Sequence, residues 1–269
     1  MMNPSDFRKG FCIIIPSWNN NDYLFFAINS IKEFSRYDHQ IVVHLNQGNN
    51  ATRDILSKMG CQVTMSPSNL GIAKAVNTAA TLCNKDIIMY FNDDMVALPG
   101  WDTEFTKFVF ENNLEHETWL SSTMIEPRGK RIEMLAPFNY GKHPKEFKKE
   151  AILRDLPRLK SMARNRKGTT WPPNLMYKDI WDKIGGFSEE FFPGFGTDPD
   201  IAKKMWDIGC RDFIALGNSL VYHFQMITTT RVLNPHTEQQ IFEKKHGITI
   251  DKFVTEYLHR GGLWCPKNC

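Results

Sequence analysis

The chain has no long apolar run. Its longest pieces, such as FCIII and DIIMYF, fall far short of the roughly 18–20 residues a helix needs to cross a bilayer. It also lacks a targeting segment at its start, since MMNPSDFRKG is polar and has no signal-peptide centre. A cytoplasmic location is therefore expected. Cysteine is scarce, with six in 269 residues, which excludes a disulfide-dense scaffold. Cys12, Cys61, Cys83 and Cys210 lie in or beside apolar segments, where a free thiol behaves as a small core residue. Cys265 and Cys269 form a terminal pair without the His or further Cys partners of a zinc site. A reducing compartment fits this usage. Internal repeats and low-complexity linkers are absent as well, so a single domain with an elaborated second half is expected.

What is present is enough apolar sequence for one large core. The net charge of +3 hides an asymmetry. Between Arg128 and Lys167 stand thirteen basic residues against four acidic ones, so the rest of the chain is net acidic. A solvated helical surface explains such a segment. So does a patch for an anionic partner, such as nucleic acid or a phosphorylated acceptor.

The first hundred residues alternate two signals. Residues 11–15, 40–45, 61–65 and 86–91 are short apolar runs of strand character. Between them NNNDYLFFAINSIKEF, NATRDILSKMG and NLGIAKAVNTAATLC carry helical spacing. Strands that are apolar throughout, separated by helices, predict an α/β fold with a mostly parallel sheet covered on both faces. Beyond a helix at 101–112 the regularity fades. A strand is expected in TWLSSTMI, then a strand and short helix in TTWPPNLMYKDIWDKIGGF. FFPGFGTDPDIAKKMWDIG reads as a loop entering a helix, and DFIALGNSLVYHF as two short strands around Gly217-Asn218. The expected organisation is one domain over 1–230 and a helical appendage over 231–269. Within the domain, 1–115 and 116–230 form two halves, with 128–167 as a basic insertion.

Three groups of residues could carry chemistry. Asn92-Asp93-Asp94 ends an apolar strand, at the carboxyl edge where open α/β sheets bind ligands. Adjacent carboxylates there suit a hard divalent cation such as Mg²⁺ or Mn²⁺, although a solvated turn accounts for them equally. Asp198 and Asp200 in GTDPD form the second group. Thr197 or Asp198 is a natural N-cap with Pro199 in the first helical turn, and Asp200 can pair with Lys204. A carboxylate at a loop-to-helix junction can also take a proton from a bound hydroxyl. His223 in SLVYHF is the third, either a hydrogen-bonded structural residue or a further metal ligand.

In order along the chain, these segments resemble the family 2 glycosyltransferases of the GT-A fold, over roughly residues 11–224. IIIPSWNNNDYL looks like the first strand with its Pro-x-aromatic-Asn turn, and NLGIAKAVNTA like the Asn-x-Gly…Asn helix start. MYFNDDM looks like the DxD-type metal motif. IGGFSEEFFPGFGTDPD is similar to the segment carrying the catalytic base, and VYHF to the late metal-ligating His. The resemblance implies a Rossmann-like, mostly parallel sheet flanked by helices, with a smaller mixed acceptor-side region. Residues 1–115 become the nucleotide-binding half and 116–230 the acceptor half. It further implies inverting transfer of a sugar from a nucleoside-diphosphate sugar, a UDP-sugar first among them, to an acceptor hydroxyl on a saccharide or glycoconjugate. Pro16, Trp18 and Asn19 would line the nucleotide pocket, Asn69, Gly71 and Asn77 its far wall, and Lys74 the approach to the diphosphate. Asp94, with Asp93 or Asn92 beside it, and His223 would hold Mn²⁺ or Mg²⁺, and Asp198 would be the general base.

Two departures stand out. Where the family carries an Asp that reads the donor base, HLNQGNN offers Asn46, which alters the usual uracil contact. The Glu before the catalytic Asp is Thr197. Other functions fit parts of the pattern. The basic segment 128–167 would suit an acceptor that is a hydroxylated base in DNA or RNA. A nucleotidyltransferase also combines such a sheet with acidic metal ligands, but its Gly-rich, Lys/Arg-bearing signature is missing near the first strand. A nucleic-acid-binding module with a lapsed site is the remaining alternative.

Overall fold

The computed structural model describes residues 1–225 and 235–266. In the first half, α1 (Pro4–Arg8), β1 (Cys12–Trp18), α2 (Asn21–Phe34), β2 (Gln40–Asn46) and α3 (Asn50–Lys58) alternate. They are followed by β3 (Gln62–Met65), α4 (Gly71–Ala80), β4 (Ile87–Tyr90), β5 (Met95–Ala97) and α5 (Trp101–Glu111). In the second half come β6 (Trp119–Ile125), α6 (Lys149–Met162), β7 (Arg166–Lys167), β8 (Asn174–Tyr177) and α7 (Lys178–Ile184). Then follow α8 (Thr197–Asp207), β9 (Phe213–His223), α9 (Pro235–His246) and α10 (Ile250–Lys252).

Among the described residues one nine-stranded sheet joins both halves in the order β3-β2-β1-β4-β8-β6-β9-β5, with β7 pairing β9. β1, β2, β3 and β4 run parallel, and β6 runs parallel to β9, whereas β8, β5 and β7 pair antiparallel. The β-branched run at the start of β1 is fully buried because helices cover both faces of the central strands. From β1 the chain winds outward to β3 and returns on the other side of β1 as β4. The crevice between β1 and β4 is thus the topological switch point, where doubly wound sheets place their ligands.

Local chemistry sets the element ends. Asn49 caps α3 by accepting from Thr52 N at 2.9 Å. At the head of α5, Asp102 is fully buried and accepts from Arg36 N and Tyr37 N at 2.7 and 3.0 Å, tying the α2–β2 loop down. On β2, buried His44 sits between Thr64 Oγ1 (2.8 Å) and Ser66 Oγ (3.2 Å).

Several expectations are corrected. Cys12 and Cys83 are not free core thiols but are joined by a disulfide between the start of β1 and the end of the α4 segment. Cys61 and Cys210 are free and buried, Cys265 is free and exposed, and Cys269 lies outside the described residues. The two short strands expected around Gly217-Asn218 are one strand, β9, with a register shift against β6 between Ser122 and Thr123. Glycine there needs no turn, because the chain bulges instead of reversing. The helix over Thr197–Asp207 takes Gly196 as its N-cap, not Thr197 or Asp198, because Thr197 Oγ1 donates back to Gly194 O at 2.7 Å. Asp200 does not pair with Lys204, whose ammonium donates to Gly186 O at 2.6 Å. Among the described residues no helix is long and apolar enough to cross a membrane.

Residues 235–266 pack onto the same core. Phe242 and Phe253 are fully buried within it.

Candidate active site

The switch-point crevice holds a cavity of about 260 Å³. The ends of β1 and β2, the start of α4 and the segment between β4 and β5 supply its wall. Pro16, Trp18, Asn46, Asn69, Gly71, Asn92, Asp93, Asp94 and His223 all line it. Four other expected residues, Asn19, Lys74, Asn77 and Asp198, lie outside this lining. Asn19 is exposed in a left-handed turn after β1, with φ of 51°, and Lys74 is exposed on α4. Asn77 ties α4 to the turn after α7, accepting from Phe187 N at 2.9 Å and donating to Phe187 O at 2.8 Å.

The side of the cavity formed by β1, β2 and α4 is built by short-range polar contacts. Trp18 is half-buried and its indole N–H donates to Gln47 Oε1 at 3.1 Å. Asn46 Oδ1 accepts from Leu70 N at 2.9 Å, and Asn69 Oδ1 accepts from Gly71 N at 2.9 Å. Asn46 therefore holds the entry to α4, and its amide can present a donor where a carboxylate cannot. Gly71 has φ of 78°, and a Cβ there would meet the Phe192 ring at 2.9 Å. Only glycine lets the FFPGFG loop lie this close over the head of α4.

The acidic end carries opposed charges. Asp93 accepts from Ser17 Oγ at 2.7 Å. Burial and the neighbouring Asp94 push the Asp93 carboxyl up to about 7, against the pull of its bonds from Ser17 and Asn20. Asp94 is 5% exposed and its Oδ2 stands 3.3 Å from His223 Nε2. The other ring nitrogen, Nδ1, is 2.9 Å from Glu126 Oε1. Burial works against charge on His223, yet Asp94 and Glu126 outweigh it and lift the imidazole to about 10.

Asp198 lies in the first turn of α8. Burial pushes its carboxyl up to about 7, and the Arg260 guanidinium draws it back down. Arg260 is held by Gly168 O at 3.2 Å, by Thr170 Oγ1 at 2.7 Å and over the Trp171 ring. The charge of Asp198 also reaches buried Tyr90, which lines the cavity.

Sequence reasoning missed Ser17, Ile72, Tyr90 and Pro193 in the lining, and Glu126 and Arg260 beside it. Ser17 was open to detection, because it is the middle residue of the Pro-x-aromatic turn. Glu126, like Asp94, follows an apolar strand, but a lone acid there gives no signal until the strands are paired.

The sequence pattern described as Glycosyl transferase family 2 matches residues 12–118. No curated protein matches the chain at the level of sequence. Among solved structures, the mannosyltransferase PcManGT from Pyrobaculum calidifontis, in complex with GDP-Man and Mn²⁺, is 14% identical, with a TM-score of 0.60. The match covers 96% of this chain and 70% of that one. TarS 1-349 of S. aureus is 15% identical with a TM-score of 0.57, over 87% of this chain and 70% of its own. In complex with UDP, the same TarS segment matches over 92% of this chain and 72% of that one, at 14% identity and a TM-score of 0.56. Residues 12–118 thus carry the Glycosyl transferase family 2 pattern, and the chain shares the α/β GT-A architecture of these solved structures.

Proposed function

We propose that the chain transfers a sugar, with inversion and with help from a divalent metal, from a nucleoside-diphosphate sugar to an acceptor hydroxyl on a saccharide or glycoconjugate. The observation that carries this reading is the convergence of Asp93, Asp94 and His223 with Trp18, Asn46 and Asn69 on one cavity at the switch point. The first group suits a metal and a diphosphate, the second a base and ribose. The neighbours crystallised with UDP, with UDP-GlcNAc and with GDP-Man and Mn²⁺ add support.

The donor set fits Mn²⁺ or Mg²⁺. Among the described residues no three His, Cys, Asp or Glu side chains form a cage on their own. Asp94 and His223 would supply two positions, as in sites where such ions keep water and substrate phosphates in their sphere. An ion held there would supply positive charge to the departing diphosphate. Asp93, held by Ser17, would orient the water or ribose groups around it. Asp198 would take the acceptor hydroxyl's proton during attack, a contribution of typically 10²–10⁴-fold. Its raised proton affinity suits that task near neutral pH. Because attack comes opposite the leaving group, the anomeric centre inverts without a covalent sugar on the protein. UDP is the first base proposed, with Asn46 in place of the family's usual Asp.

A saccharide acceptor is favoured over nucleic acid because part of the basic segment is already paired at the surface with acids of α2. Lys149 pairs with Glu33, and Lys145 and His143 stand 3.6 and 3.7 Å from Asp22. The test is a screen of nucleotide-sugar hydrolysis across bases and sugars with Mn²⁺ or Mg²⁺. Metal-stimulated cleavage of one donor, lost in Asp94→Asn, is the expected result. If no nucleotide sugar is cleaved or bound with either metal, the proposal falls.

A further inference from the structure

The sheet order places β6, β9 and β5 side by side. Met95, the first residue of β5, pairs with His223, and Ile125, the last of β6, pairs with Tyr222. Asp94 just before β5, His223 at the end of β9 and Glu126 just after β6 are therefore neighbours across three strands. Their side chains form a line, with Glu126 Oε1 at 2.9 Å from Nδ1 of the imidazole and Asp94 Oδ2 at 3.3 Å from Nε2. Glu126 is 5% exposed, and its backbone is held on both sides, by Leu135 O at 2.9 Å and by Phe138 N at 2.8 Å. Two residues farther on, Arg128 donates to Gln225 O at 3.1 Å and accepts from Gln225 Nε2 at 3.1 Å, so the ends of β6 and β9 are locked together.

We propose that Glu126 is a positioning residue for the donor site: it holds the Nδ1 proton of His223, so that the Nε2 lone pair would face a metal ion shared with Asp94 once that ion displaces the Nε2 proton. A buried imidazole joined to two acceptors can rotate or swap tautomers. A carboxylate fixed on one nitrogen removes that choice and makes the other nitrogen a better donor. Glu126 itself stands on the far side of the ring from Asp94 and does not need to touch the ion. This inference rests on the proposed metal role of Asp94 and His223.

The test is titration of the full chain with Mn²⁺, with and without UDP, following the electron paramagnetic resonance signal of the free ion. Glu126→Ala is expected to weaken Mn²⁺ binding about 10–100-fold. Glu126→Gln, whose amide oxygen can still accept from Nδ1–H, should recover most of the loss. Unchanged affinity in Glu126→Ala, beside a clear loss in His223→Ala, would overturn the role of Glu126 while leaving the metal reading standing. Binding absent from the wild type, or indifferent to both His223→Ala and Asp94→Asn, would sink the metal reading and this inference with it. Should Glu126→Ala fail to fold, the wild type loaded with Co²⁺ decides the matter. A paramagnetically shifted, slowly exchanging imidazole N–H that vanishes in His223→Ala is expected, and its absence would count against the proposal.

Discussion

His246, at the end of α9, places its Nε2 2.7 Å from Oδ1 of Asp200, a fully buried carboxylate two residues beyond Asp198. Lys245 reaches the same oxygen at 3.0 Å and also bonds Glu190 and Ser188. Burial opposes ionisation of Asp200, but the bonds from His246, Ser188 and Lys245 outweigh it and hold the carboxyl below its ordinary range. The end of α9 thus pins the head of α8. His246→Ala is expected to lower stability by about 1–3 kcal/mol, since a buried acceptor loses a partner. The shift of the urea midpoint measures it, and an unchanged midpoint would show that Lys245 suffices.

Asp198→Asn should leave the fold and donor binding intact while transfer falls by about 10²–10⁴-fold. As the proposed base, Asp198 would work only when ionised, so activity is expected to fall as pH drops through about 7. A pH profile of kcat/KM beside a thermal melt reports both quantities. Full turnover by the Asn variant would remove Asp198 from the chemistry.

Arg260→Met tests the electrostatics of that base. The guanidinium favours the ionised carboxylate, so its loss should raise the proton affinity of Asp198 and move the acid limb to higher pH. A limb that stays in place would show that the charge of Arg260 does not reach the base in the working enzyme.

His44 offers a prediction about stability alone. Burial pushes its imidazole down to about 4, below the ordinary value near 6.5. The unfolded chain then binds the proton more readily than the folded one. Stability is full above about pH 6.5 and declines as pH falls toward 4, by roughly 3 kcal/mol in all from this group. Urea unfolding at pH 7 and pH 4.5, compared between wild type and His44→Gln, isolates the contribution. Equal pH dependence in the two proteins would contradict it.

The parts of this architecture that depend on neighbouring residues were legible in the sequence. The apolar runs at 11–15, 40–45 and 86–91 read as strands because consecutive apolar residues have no helical spacing to conceal them. Asp93 and Asp94 stood out because two charges interrupt such a run. What escaped depends on partners far along the chain. Glu126 acquires meaning only through the pairing of β6 with β9, and Asp200 only through His246, forty-six residues later. The pairing of Cys12 with Cys83 spans 71 residues, and spacing alone could not distinguish it from two core thiols. The capping expectation at Thr197 failed for a local reason, since its hydroxyl is used by Gly194 O.

The irregularity in β9 sets a length. Ser122 pairs with Leu216 and the next residue, Thr123, pairs with Leu220, so residues 217–219 have no counterpart on β6. Were the strand unbroken, Glu126 would stand beside Leu220, and His223 would overshoot it by three residues, roughly 10 Å at the rise of a β-strand. The bulge acts as a spacer that draws the imidazole back to the level of the carboxylates. Drawing residues 217–219 into regular pairing with β6 would therefore misplace His223 without altering one atom of its side chain.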